Sequence, residues 1–281
     1  MMRHKPMLAY PVSDKPINYD NKVFMQPKLD GVRCLIQYDK GKVTAYSRTG
    51  KEWKNILHIT SSLEKWFKSN QTTVLDGELY NHDLRDDFET IISLVRRQTP
   101  DDIDMLESRD LVQFHCYDII HPDNSKFEDR TRFVKWCVGQ SSQYVHVVPT
   151  TKIACNDDAE EMHRVNLECG FEGSILRTND VYHQKRTHSL RKFKDFHDAE
   201  ATLIAWVEGK GKRKGTVGKF MAVDADGNEF GMPVMDKFDY LQKNFRKMRN
   251  WVGKTATFTY FERTKANSYR HPLFKCIRDY E

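Results

Sequence analysis

Apolar and polar positions alternate along Arg33–Asp39 and again along Lys42–Arg48, and the turn-forming Asp39-Lys40-Gly41-Lys42 lies between them, so a β-hairpin is expected. Thr72–Tyr80 and Leu111–Ile120 read as further strands. Over Asp86–Arg97 the period lengthens: Phe88, Ile91, Ile92 and Val95 fall on one helical face, and Asp86 with Glu89 resembles a capping box. Arg130–Val138 and Asp157–Cys169 are the next expected helices, the latter stopped by Gly170, and Phe171–Arg177 returns to strand. The first 27 residues hold four prolines and few periodic positions, which suits an extended lead-in.

After about residue 198 the pattern changes. Ala201–Val207, Phe220–Asp224 and Thr255–Phe261 are short strands, and Lys237–Arg249 is a helix between the second and third. Glu208–Lys219 contains five basic residues and four glycines and reads as a flexible basic loop. Short strands with one interposed helix suit a small Greek-key barrel such as the OB-fold. The boundary falls in Asp195–Asp198, giving domains 1–197 and 198–281 and an α+β chain.

Composition narrows the classes. A chain of 281 residues with 39% hydrophobic and 30% charged residues is long enough for two globular domains. No apolar run approaches the ~20 residues that cross a bilayer. Met1-Met2-Arg3-His4-Lys5-Pro6 leads into no apolar segment, so export is not expected. Six scattered cysteines without a C-x-x-C pair fit a reducing cytoplasm rather than a disulfide framework or zinc finger. H-E-x-x-H, G-x-S-x-G, Walker A and G-x-G-x-x-G motifs are absent, which removes several common enzyme classes. Residues 199–281 carry 16 Lys and Arg against 10 Asp and Glu, whereas residues 1–198 carry 29 against 30. A basic final third after a near-neutral body suggests a polyanionic partner.

The candidate chemistry starts at Lys28-Leu29-Asp30-Gly31-Val32-Arg33. In an extended stretch Lys28 and Asp30 point the same way, Gly31 permits a tight turn or a close backbone approach, and Arg33 is a permanent cation. A lysine beside cations and a metal can lose its proton and act as a nucleophile, because like charge disfavours the ammonium. A mixed-charge surface hairpin is the plain alternative. Four later segments shift the balance: Leu75-Asp76-Gly77-Glu78-Leu79-Tyr80, Phe114-His115-Cys116-Tyr117-Asp118, Phe171-Glu172-Gly173-Ser174-Ile175-Leu176-Arg177, and Leu190-Arg191-Lys192-Phe193-Lys194. Singly they read as turn, core strand, turn and solvated edge.

Together, in this order and spacing, the five segments resemble the covalent nucleotidyltransferases, which include ATP-dependent DNA ligases, RNA ligases and mRNA capping enzymes. The nucleophile motif K-x-D-G-x-R is matched at Lys28–Arg33, and Asp76–Glu78, Tyr117–Asp118, Glu172–Gly173 and Lys192–Lys194 match the later motifs. The chain is most similar to minimal, virus- and phage-type ATP-dependent DNA ligases. Asp198-Ala199-Glu200-Ala201-Thr202 and the terminal Arg270-His271-Pro272-Leu273-Phe274-Lys275-Cys276-Ile277-Arg278 extend the likeness into the final third.

The resemblance implies a nucleotidyltransferase domain of antiparallel sheets flanked by helices, followed by an OB-fold β-barrel. It implies that Lys28 attacks the ATP α-phosphate to give lysyl-AMP, that AMP passes to the 5′-phosphate of a nick, and that the 3′-hydroxyl displaces it. Lys192 and Lys194 would assist at the α-phosphate and the leaving pyrophosphate. Arg33 and Arg48 would contact nucleotide or nick phosphates, and Arg186 is a further candidate. Glu78 would hold the ribose or a metal, and Glu172 would help bind Mg²⁺, with Mn²⁺ as a substitute. Tyr117 would stack on adenine with Ile175 opposite, and Gln26 would read the adenine edge. Arg278 would orient pyrophosphate. Lys210, Lys212, Arg213 and Lys214 would contact the DNA backbone. The implied partner is nicked duplex DNA, met by a monomer in the cytoplasm (the host's, if viral) and not at a membrane. An RNA ligase or a capping guanylyltransferase would use the same lysine chemistry, and a non-catalytic nucleic-acid-binding module on this fold is an alternative of another class.

Overall fold

The strands of the first part of the chain are β1 (Leu8–Pro11), β2 (Val23–Lys28), β3 (Val32–Asp39), β4 (Lys42–Ser47), β5 (Val74–Tyr80), β6 (Gln113–Ile120), β7 (Val145–Val147), β8 (Thr151–Ile153), β9 (Gly173–Thr178) and β10 (Arg186–Phe193). Its helices are α1 (Leu57–Ser62), α2 (Glu64–Ser69), α3 (Phe88–Arg96), α4 (Asp102–Leu111), α5 (Phe127–Phe133) and α6 (Asn156–Glu168). The computed structural model describes residues 4–85, 87–138, 142–193, 197–260, 263–264 and 267–278, less the side chain of Cys137. Contacts divide the chain into two units, residues 1–194 and 195–281.

The first unit holds two five-stranded sheets, ordered β4-β3-β5-β6-β7 and β1-β10-β9-β2-β8. Pairing is antiparallel except for the edge pairs β1/β10 and β6/β7, which are parallel. Strand alternation sends Cys34, Ile36, Leu75, Leu79 and Phe114 of the first sheet into a core with Ile59, Phe67, Ile91, Leu94 and Val95 from α1 to α3. Leu35, Val74 and Ile120 take the other face, beside Tyr182. In the second sheet Val23, Met25 and Leu176 pack on Ala159 of α6. Gln26, Lys28, Ile175, Arg177 and Lys192 are therefore left on the opposite face, and hydrogen bonds from Gln26 and Arg177 reach strand β6 of the first sheet.

Several expectations need correction. The proline-rich lead-in is not merely extended, because Leu8–Pro11 pairs with β10. The capping box proposed at Asp86 involves a residue outside those described. A capping box stands instead at α4, where Asp101 accepts from the Asp104 N–H at 2.8 Å and Asp104 accepts from the Asp101 N–H at 3.2 Å. That helix was not expected, since its sequence has weak apolar periodicity, and it pushes the start of the next strand from Leu111 to Gln113. The helix expected from Arg130 starts at Phe127 and widens to a π-turn over Val134–Val138.

The second unit comprises β11 (His197–Glu208), β12 (Val217–Val223), β13 (Glu229–Pro233), α7 (Phe238–Arg249), β14 (Thr255–Tyr260) and β15 (Leu273–Ile277). They form one antiparallel sheet, ordered β13-β12-β11-β14-β15, whose edge strands β13 and β15 approach each other. Leu203, Phe220, Met232, Leu241, Met248 and Phe258 fill its core. Phe261, the expected end of β14, lies outside the described residues. The basic stretch is shorter and tighter than expected. Strands occupy both of its ends, and the Gly209 N–H donates to the Thr216 carbonyl at 2.9 Å. The Gly215 N–H donates to Glu208 Oε1 at 2.8 Å and Arg213 Nη1 to the Val234 carbonyl at 2.6 Å. These bonds close the turn, and Lys210, Lys212 and Lys214 remain exposed on it. Among the described residues no helix is long and apolar enough to cross a membrane.

Candidate active site

Lys28 is the last residue of β2, and the following strand β3 belongs to the other sheet. Leu29-Asp30-Gly31 therefore crosses between sheets rather than continuing a strand. Gly31 is required by that crossing: a Cβ there would lie 2.5 Å from the Leu79 carbonyl oxygen and 2.6 Å from Glu78 Cγ. Lys28 Nζ is ion-paired with Glu172 Oε2, and the Glu172 N–H donates to the Lys28 carbonyl at 3.1 Å. Gly173, opposite Lys28 in register, has φ of +146°, and a Cβ would sit 2.5 Å from the Phe193 carbonyl oxygen. The amine is thus paired with a carboxylate, where the sequence suggested cations.

The facing wall comes from the first sheet. Arg33 and Asp76 form a bidentate pair, both bonds at 2.6 Å, and Arg33 Nη2 also donates to the Met7 carbonyl at 3.2 Å. The fork expected at a phosphate is engaged inside the protein. Tyr182 donates its hydroxyl to Asp76 at 2.6 Å and accepts from the Met7 N–H at 2.9 Å, tying the lead-in to this wall. Glu78 lies opposite Arg33 and accepts from the Tyr117 hydroxyl at 3.2 Å. Burial pushes the Glu78 carboxyl up to about 7, against the pull of Arg33 and Lys28.

A β-bulge explains Tyr117. Asp76 pairs with Asp118 but Gly77 pairs with Cys116, leaving residue 117 as the extra one. The bulge lets Tyr117 and Asp118 serve the same side of the sheet, which alternation forbids. The Tyr117 ring lies 5.0 Å from the Arg33 guanidinium and 5.4 Å from that of Arg177.

Glu78 makes a pH prediction. Its folded value lies above the unfolded 4.5, so the folded state binds the extra proton between those values. Its contribution to stability is therefore full below about 4.5 and lost as pH rises through about 7. Glu78→Gln should raise stability at pH 8 by about 1–2 kcal/mol, discounted for partial exposure, and leave it nearly unchanged at pH 4.5. Denaturant unfolding at the two pH values measures the difference.

Cross-strand register brings other expected residues into line: Gln26 opposes Ile175, and Ile175 opposes Lys192. Lys194 lies outside the described residues. Arg48 stands exposed on the turn after β4, on the first sheet. Arg186 is at the far end of β10, donating to the Ala9 carbonyl and lying 5.6 Å from the Tyr10 ring centre, so it is not brought into the row with Lys192. In the second unit Arg278 is ion-paired with Glu200.

Sequence reasoning missed a buried layer beneath the row. Asp118 accepts from Arg130 Nε at 2.7 Å and Nη2 at 3.2 Å, and from Arg177 Nη1 at 2.6 Å. Arg130 and Arg177 are 2% and 3% exposed. No local signal could have paired them, since the partners are 12 and 59 residues from Asp118.

Two facing sheets with a terminal-strand lysine at their crossing, and a five-stranded OB-like sheet in a separate unit, define a covalent nucleotidyltransferase architecture. Residues 6–194 match the model of the ATP dependent DNA ligase domain and residues 208–278 that of the DNA ligase OB-like domain. The chain belongs to the ATP-dependent DNA ligase family. It is 24% identical over 240 residues to a DNA ligase of Methanopyrus kandleri, covering 80% of this chain and 43% of that protein. It is 28% identical over 204 residues to a DNA ligase of African swine fever virus, covering 69% of this chain and 46% of the relative. The chain thus spans less than half the length of these curated relatives. A solved Lig E DNA ligase shares the fold, with a TM-score of 0.77 and 24% identity over 99% of this chain and 100% of that one.

Proposed function

We propose that this protein is an ATP-dependent DNA ligase that seals 3′-hydroxyl/5′-phosphate nicks in duplex DNA, with residues 1–197 as the nucleotidyltransferase domain and 198–281 as the OB-fold domain. The observation that carries the reading is the Lys28–Glu172 ion pair at the sheet crossing, faced by Glu78 and Tyr117. Family membership supports the chemistry, and Lig E ligases are described as binding DNA with a minimal scaffold.

Lys28 Nζ attacks the α-phosphorus; the N–P bond forms as the bond to the β-phosphate oxygen breaks, and pyrophosphate leaves. Glu172 Oε2, already on the amine, takes its proton. Lys192 and Lys194 neutralise charge on the α-phosphate and the leaving group. Tyr117 and Ile175 sandwich the adenine, and Gln26 meets its edge. Arg48 is the exposed cation for nick phosphates; Arg33, held by Asp76, positions Tyr117 and Glu78. Arg186 in the first unit, and separately the turn lysines 210, 212 and 214 of the second with Arg213 as their anchor, contact DNA phosphates.

The donor chemistry fits Mg²⁺, a hard cation that takes one or two carboxylates and completes its shell with substrate phosphates. Glu78 and Glu172 would be the carboxylates that hold it; among the described residues no three potential ligands form a cage of their own. When bound, the ion withdraws charge from the phosphates. A monomer in a reducing cytoplasm suits the unbridged cysteines 34, 116, 155, 169 and 276.

Sealing assays on nicked duplexes test the proposal. ATP with nicked DNA should give joined strands. Preferential joining of nicked RNA would favour an RNA ligase, labelling by GTP without joining a capping enzyme, and neither activity a binding module.

A further inference from the structure

We infer that Arg177 is a positioning residue for nucleotide choice: it fixes the Gln26 carboxamide so that this side chain can offer the base only a hydrogen-bond acceptor, selecting purines with a 6-amino group over those with a 6-oxo group. The inference deepens the proposed function and rests on it.

Gln26 is two residues before Lys28 on the same strand face, in register with Ile175, and 2% exposed. Its amide orientation is settled by the chemistry of three neighbours. Arg177 Nε reaches Oε1 at 2.7 Å, and a guanidinium can only donate. The Tyr117 carbonyl, 3.1 Å from Nε2, can only accept. Thr150 Oγ1 is 2.9 Å from Nε2 and directs its own proton to the Val148 carbonyl at 3.3 Å, so it too accepts from Gln26. A flipped amide would set donor against donor at Arg177 and acceptor against acceptor at Tyr117.

Both amide hydrogens are thereby engaged. Among the described residues, the one capacity left unused on the group is the second lone pair of Oε1. A 6-amino group satisfies it; a 6-oxo group brings a second acceptor against it and leaves both unpaired. Arg177 is itself fixed, because Asp118 accepts from its Nη1 at 2.6 Å and is held in turn by Arg130. The choice of base is therefore set from a buried ion pair that does not touch the nucleotide. A Gln26 without Arg177 could turn over and present its amino group.

The test is covalent labelling of the intact chain, followed by mass, with ATP, 2-aminoadenosine triphosphate, GTP and ITP and Mg²⁺. Wild type should accept ATP and the 2-amino analogue at similar rates, and ITP and GTP at least ~100-fold more slowly. Arg177→Lys and Arg177→Met should narrow the ATP to ITP ratio about tenfold or more. Thr150→Val, which leaves every ion pair in place, should narrow it about threefold and covers failure of the arginine variants to fold. A merely structural role would slow all nucleotides alike. Equal use of ITP and ATP by wild type, or an unchanged ratio in every variant that folds, overturns the inference while leaving the ligase reading intact. Absence of label from every nucleotide overturns the ligase reading, and this inference with it.

Discussion

Lys28→Ala should take up no covalent nucleotide under conditions that label the wild-type chain completely, a loss of at least ~10⁴-fold. In the proposed reaction the Lys28 amine is the atom that bonds to phosphorus. Glu172 touches the same place but carries a carboxylate, whose acyl phosphate would hydrolyse rather than persist. Lys28→Arg should fail as well, because a guanidinium keeps its proton and cannot present a lone pair. The later steps do not need the amine to attack. A nick supplied with AMP already on its 5′-phosphate should still be joined by Lys28→Ala, more slowly than by wild type. Denaturing electrophoresis with α-labelled ATP reads the first result, and strand joining on the pre-adenylylated nick reads the second. Full labelling of Lys28→Ala would place the nucleophile elsewhere.

Asp118→Asn should destabilise the first unit by about 3–5 kcal/mol. Asp118 is fully buried and receives Arg130 and Arg177, which are themselves buried. Removing its charge leaves two guanidinium groups away from water with amide and carbonyl partners alone. The loss would appear as a fall in midpoint temperature of ~2–4 °C per kcal/mol for a unit of this size. Arg177 links the same carboxylate to Gln26, so whatever variant survives should also discriminate less between ATP and ITP. A change below about 1 kcal/mol would show that the layer is not a supporting one.

Much of the local structure was readable because it is written in local terms. The β3–β4 hairpin follows from alternation around a turn, and α6 with its Gly170 stop follows from periodicity and a residue that tolerates positive φ. The nucleophile motif was readable as a run of residue types. What escaped is what depends on neighbours distant in sequence. Helix α4 is weakly amphipathic and is held by its caps. The basic stretch looked flexible by composition, yet Arg213 and Glu208 close it. Arg33 reads from sequence as a cation for phosphates, and its pairing with Asp76, 43 residues away, is set only by the fold.

By itself, then, the sequence determined the order of the motifs around Lys28 and the family they imply. Those are properties of residue type and spacing along one chain. Tertiary structure alone decided which charges neutralise one another, on which side of its strand Tyr117 serves, and which way the Gln26 amide points. Each of those depends on the register of a strand pair, on a bulge that inserts one residue, or on a donor arriving from a distant segment. Such choices are made when two faces are brought together and water leaves, and only then does the partner of each polar group exist.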